Sequence, residues 1–87
     1  MQLEFNVQIW KEDEQYIAHA MPLDVASAGR TAEAARAALD EAVLLFLRTA
    51  AGEGTLEQVL EDAGYVAAGD EWQSPVWVAV ERHVVAA

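Results

Sequence analysis

Hydrophobic and polar residues alternate from the first positions of the chain. Leu3, Phe5, Val7 and Ile9 fall on one side, and Gln2, Glu4, Asn6, Gln8 and Trp10 on the other. A period of two residues predicts a half-buried strand. Lys11 to Glu14 forms a charged tip, after which Gln15 to Ala20 predicts a second strand. There Tyr16, Ala18 and Ala20 share one face, with Ile17 and His19 opposite. The pair reads as a hairpin, although its tip lacks an Asn-Gly type of turn. Pro22 has no N–H to donate and interrupts pairing. A third short strand is expected from Leu23 to Ala28, ending at Gly29.

The period then changes. Ala35, Leu39, Ala42, Val43, Phe46 and Ala50 recur at steps of three and four, which predicts an amphipathic helix from about Ala32 to Ala50. Thr31 stands at the N-cap, and Glu33 in the first turn meets the helix dipole. The alanines allow close approach to a sheet. Leu44, Leu45 and Leu47 widen the apolar face beyond the needs of one sheet and suggest contact with another chain. Gly52 and Gly54 are expected to break this helix. Thr55-Leu56-Glu57-Gln58 has the pattern of a capping box, and Leu56, Val59 and Leu60 give a short second helix one apolar face. Gly64 supplies its left-handed stop. Tyr65 to Trp72 suits a small hairpin around Gly69-Asp70. After Pro75, the alternation of Val76, Val78 and Val80 with Trp77, Ala79 and Glu81 predicts a closing strand.

Composition narrows the picture. The chain has 87 residues and no cysteine, which removes disulfides and thiolate chemistry together. Surface scaling expects a folded area of roughly 5,000 Å², from an unfolded chain exposing about 14,000 Å². That suffices for one core in one domain. Fifteen acidic residues against five Lys and Arg leave a net charge of −10. So acidic a surface repels phosphate and anionic lipid, and favours a basic partner. Direct nucleic-acid binding and membrane association are therefore not expected. The longest apolar run, Ala42 to Leu47, is far short of a membrane span, and the N-terminus lacks a signal-peptide pattern. A cytoplasmic location is the expectation.

Groups for catalysis are sparse. His19 and His83 lie on different expected strands with no motif around them, and as metal ligands would want a carboxylate such as Asp24 or Glu81. Ser27 and Ser74 lack a nucleophile elbow. Gly52-Glu53-Gly54 lacks the lysine of a phosphate loop. Asp24, Asp40 and Glu81 form the one imaginable carboxylate trio for a hydrolase. No catalytic residue, metal or cofactor is expected. Glu12, Asp13 and Glu14 suit either a partner contact or a solvated charge run. Trp10, Trp72 and Trp77 are the other partner-binding candidates, and equally read as cover for a sheet face or helix edge.

The run from Tyr16 to Thr31, Tyr-Ile-Ala-His-Ala-Met-Pro-Leu-Asp-Val-Ala-Ser-Ala-Gly-Arg-Thr, resembles the signature of HicB-like antitoxin domains. There a Tyr-x-Ala strand leads through proline and leucine to a Ser-x-Gly-x-Thr helix start. The strand Phe5 to Ile9 with its acidic tip, and the helix residues Ala35, Leu39, Ala42, Val43, Leu45, Phe46 and Leu47, extend the likeness over about residues 3–50. The resemblance implies an α+β fold: an antiparallel sheet of three N-terminal strands plus a C-terminal strand, packed on one long helix and a short second one. Such a core is described as partial RNase H-like. It further implies one domain over residues 1–87 that neutralises a small basic HicA-like mRNA interferase by occlusion. A homo-oligomer, dimer or tetramer, with no toxin partner is the alternative. Residues 77–87 read as strand and tail, too short for the DNA-binding segment that family members commonly carry, so direct operator binding is not expected.

Overall fold

The computed structural model describes residues 1–87. Three strands, β1 (Asn6–Glu12), β2 (Gln15–Met21) and β3 (Val25–Gly29), form an antiparallel meander in that order. Register places Val7 and Ile9 of β1 beside Ala20 and Ala18 of β2, and those beside Val25 and Ser27 of β3. Directly opposed residues share a face, so these six form one side of the sheet. The long helix α1 (Ala32–Glu53) covers that side. Ala18, Ala20, Ala35 and Leu39 are fully buried between the two layers, with Val43 nearly so. Alanine at the sheet centre brings the layers close, and Leu39 fills the space the small residues leave. Its burial contributes about 2 kcal/mol.

The closest approach is at Gly29. A Cβ there would lie 2.6 Å from the Ala35 backbone nitrogen. Glycine is thus required by space rather than by backbone conformation, and it lets β3 run directly into α1. Thr31 caps the helix as expected, its Oγ accepting from the Ala34 N–H at 3.0 Å.

Several boundaries differ from the sequence expectation. The third strand begins at Val25, because residues 22–24 form a turn. Leu23 of that turn is nonetheless buried in the core. The first helix runs through Gly52 to Glu53. Gly54, at φ 75, ends it and donates its N–H to the Ala50 and Ala51 carbonyls. One glycine in the last, exposed turn costs only about 1 kcal/mol against alanine, too little to stop a helix already capped two residues later.

The capping box does not form at α2 (Leu56–Ala63). Thr55 has ψ 4 instead of the extended value an N-cap needs, and its hydroxyl donates to the Ala50 carbonyl at 3.3 Å. Gln58 turns forward, giving its side-chain amide to Asp62 at 2.8 Å. The Thr55 backbone N–H donates to the same Ala50 carbonyl at 2.9 Å, so the residue that would have capped α2 is bound to the end of α1. Leu60 is fully buried, and Gly64, at φ 101, stops the helix.

The small hairpin is present as β4 (Val66–Ala68) and β5 (Glu71–Gln73), joined by Gly69-Asp70 with Gly69 at φ 63. It forms a separate two-stranded sheet. Tyr65 anchors its base: the hydroxyl donates to the Glu4 carbonyl at 2.6 Å, and Leu3 makes a parallel bridge with Trp72. Burial, and secondarily the nearby Glu4 carboxylate, raise the Tyr65 pKa above its ordinary value.

The fold is therefore α+β, and one element departs from the expected arrangement. Residues 74–87 form no strand and do not join the three-stranded sheet. Continuing the Leu3–Trp72 register would set Pro75 against Asn6, where it has no N–H to give. Pro75 instead lies against Gly64, its Cγ 3.6 Å from where a Gly64 Cβ would stand.

Candidate functional site

The side of the sheet away from α1 has no covering layer. Register aligns Gln8, His19 and Ala26 across it, and Trp10, Ile17 and Ala28 beside them. Trp10 is 43% exposed. Its ring meets the His19 ring edge-on, with centroids 6.1 Å apart and planes at 67°. The Trp10 Nε1–H reaches Glu12 Oε2 at 3.4 Å. One aromatic residue and one acid of the predicted set thus stand together at the tip end of β1.

His19 has a second partner. The turn after β2 is closed by the Asp24 N–H bonding to the Ala20 carbonyl at 2.8 Å, with Asp24 at φ 62. Aspartate is among the few non-glycine residues that occupy this left-handed region readily. The conformation returns its carboxylate over the sheet, where Oδ1 lies 2.6 Å from His19 Nε2. Side-chain exposure is 19% for the histidine and 80% for the aspartate, so the pair opens to solvent from the carboxylate side. Such a bond fixes the orientation of an imidazole. His83 Nε2 likewise lies 2.7 Å from Glu81 Oε1.

No three His, Cys, Asp or Glu side chains are arranged so that they could hold a metal ion. Asp24, Asp40 and Glu81 lie apart: in the β2–β3 turn, on α1, and in the segment after Pro75. Ser27 pairs with Ala18 on the helix-facing side of the sheet, opposite to His19. The hydrolase trio is therefore not assembled.

The remaining tryptophans occupy other places. Trp72 is partly buried and packs against the core. Trp77 is 41% exposed and belongs to the segment after Pro75. Glu12, Asp13 and Glu14 are all exposed at the β1–β2 turn, where Asp13 takes φ 54. Left-handed backbone at an aspartate replaces the missing Asn-Gly signal.

Charge is distributed in a telling way. All fifteen carboxylate side chains belong to exposed residues. The only ion pairs are the two with histidine, so no Lys or Arg comes within 4.0 Å of an acid. Lys11 faces the Tyr16 ring instead, 5.9 Å from its centroid.

A feature that sequence reasoning only touched is a shallow apolar groove of about 370 Å³ between the N-terminal segment and α1. Leu3 and Phe5 line one side, Leu44 and Leu47 the other, and Leu56 an end. The extra leucines of α1 were its signal. No helix is long and apolar enough to cross a membrane. No protein-family model matches the chain, and neither a curated protein nor a solved structure matches it.

Proposed function

We propose that this chain is a HicB-like antitoxin-type binding domain that neutralises a small basic mRNA interferase in the cytoplasm by covering it. The observation that carries the reading is the surface of fifteen exposed carboxylates with no Lys or Arg paired to any of them. A basic protein approaching it regains the Coulomb energy that the fold leaves unused. Such complementarity speeds encounter and biases partner choice. The order of strand, strand, strand and helix over residues 6–53 agrees with the resemblance, as does the Gly29–Thr31 helix start. In this reading the sheet and α1 are the partial RNase H-like core. The open sheet face with Trp10, together with the Glu12-Asp13-Glu14 turn, makes the first contact.

Co-expression with the product of an adjacent short, basic reading frame tests it. Rescue of growth and co-purification are expected. Lysine at positions 12, 13 and 14 should slow association about tenfold or more at low salt, with less effect at high salt. Neither rescue nor co-purification would overturn the proposal.

A second reading is a homo-oligomer, dimer or tetramer, with no toxin partner. It is favoured by the exposed valines after Pro75, and light scattering at micromolar concentration tests it. A strict monomer removes it.

A further inference from the structure

Residues 76–80 have the valine spacing of a strand, and no strand of their own chain pairs with them. Val76, Val78 and Val80 are 88%, 94% and 78% exposed. Their exposure is visible in the dimensions of the molecule. The surface is 6518 Å². Scaling expects roughly 5,000 Å² for a folded chain of this mass, so the excess is about 1,500 Å². The radius of gyration is 14.7 Å, where a compact domain of this length has about 12 Å.

The sheet offers a matching vacancy. β1 is an edge strand of seven residues. α1 lies mainly against β3 and β2 and touches β1 least. The apolar groove lies between the segment leading into β1 and Leu44 and Leu47 of α1. A strand laid along this edge satisfies its open N–H and C=O groups and sends alternate side chains toward the groove. In their own chain, residues 76–80 are led off this edge by Pro75, which packs at Gly64.

We propose that the segment 76–82 of a second copy adds to the β1 edge, and that the exchange is reciprocal. Val76, Val78 and Val80 then face the groove side, while Trp77 and Ala79 join Trp10 on the open sheet face. Two of the three tryptophans are brought to one surface, each from a different copy. Charge favours this particular contact. Glu81 and Arg82 cancel, so the segment from 74 onward is neutral and the −10 lies entirely before it. The neutral segment of each copy thus meets a β1 strand in which Lys11 and Glu12 also cancel. The excess area on each copy also exceeds the ~800 Å² per partner of an ordinary stable interface.

The proposal deepens the homo-oligomer reading and stands apart from the toxin reading. Its test is sedimentation of the full chain between 1 and about 200 µM, with hydrogen exchange followed at each concentration. A dimer of twice the 9.5 kDa chain mass is expected, with amides of 76–82 becoming protected only as it forms. The double variant Val78→Asp/Val80→Asp and the edge variant Val7→Lys should each weaken association at least tenfold. Mixing these two variants should restore heterodimer, since one intact segment then meets one intact edge. Far-ultraviolet circular dichroism of each variant at low concentration checks that the sheet is kept. A chain monomeric at 200 µM overturns the proposal, as does protection of 76–82 that is independent of concentration. A dimer indifferent to both variants overturns it too, while leaving the homo-oligomer reading in place.

Discussion

Phe5-Asn6-Val7-Gln8-Ile9 alternates apolar with polar residues, and Val76-Trp77-Val78-Ala79-Val80 sets valine at every second position of an all-apolar run, yet only the first enters the sheet, from Asn6 onward. The difference lies in what each stretch meets. β1 is joined to β2 across Asp13-Glu14, since Glu12 pairs with Gln15. So short a closure costs little chain entropy. Its apolar side then faces α1, which β3 delivers through Gly29 and Thr31. Residues 76–80 follow a proline and have no neighbouring strand in their own chain. Alternation gives a segment the capacity to be a strand, and a partner edge with a partner layer turns capacity into structure.

That contrast can be broken first at its packed end. Leu39→Ala removes the largest side chain sealed between sheet and helix and should cost about 3 kcal/mol, read from the urea midpoint. Gly29→Ala comes next. Its Cβ meets helix backbone at 2.6 Å, which cannot swing away as a side-chain tip would. A loss of about 1–3 kcal/mol is expected, with α1 pushed off β3.

Tyr65 ties the later region to the earlier one through Glu4. Tyr65→Phe should cost about 1 kcal/mol at neutral pH. The hydroxyl also predicts a pH dependence. Burial raises its folded pKa above the ordinary 10.0, so the fold prefers the neutral phenol. Its contribution is complete below pH 10 and is lost as pH rises through the raised folded value. Wild type should therefore lose more stability than Tyr65→Phe between pH 9 and pH 11, in parallel thermal melts. Equal losses would remove the linkage.

Smaller effects sharpen the comparison. Asp13→Gly relieves a left-handed residue at φ 54 and should raise stability by about 0.5 kcal/mol. Val78→Ala, assayed at concentrations where the chain is dispersed, should stay within ~0.5 kcal/mol of wild type. The same deletion of methyl groups at Val43, nearly sealed in the core, should cost several times more. Similar losses at Val78 and Val43 would show that the later stretch is packed after all.

Much of this was legible from residue order. The faces of β1 and β2, the Thr31 cap, the Gly64 stop and the Gly69-Asp70 hairpin are all local matters. Each rests on a side chain or backbone preference within a few residues. Thr55 does not cap α2, because its backbone N–H and hydroxyl both bond the Ala50 carbonyl, a contact that exists only once the chain has turned at Gly54. The His19–Asp24 pair was nameable from sequence but not placeable. It depends on a left-handed turn at Asp24, which no glycine advertises. The apolar groove was harder still, since Leu3 and Phe5 meet Leu44 and Leu47 from opposite layers.

By itself the sequence determined the α+β class, the helix faces, the absence of thiol chemistry and the strong negative charge. Those follow from periodicity and composition, which act through local geometry and simple counting. Tertiary structure alone decided that the acids would go without Lys or Arg partners, that Trp72 would pack on the core while Trp10 stayed open, and that β1 would be left an edge. These depend on which surfaces remain once the layers have closed. A segment written as a strand has no means of showing, in its own residues, whether its chain has kept a place for it.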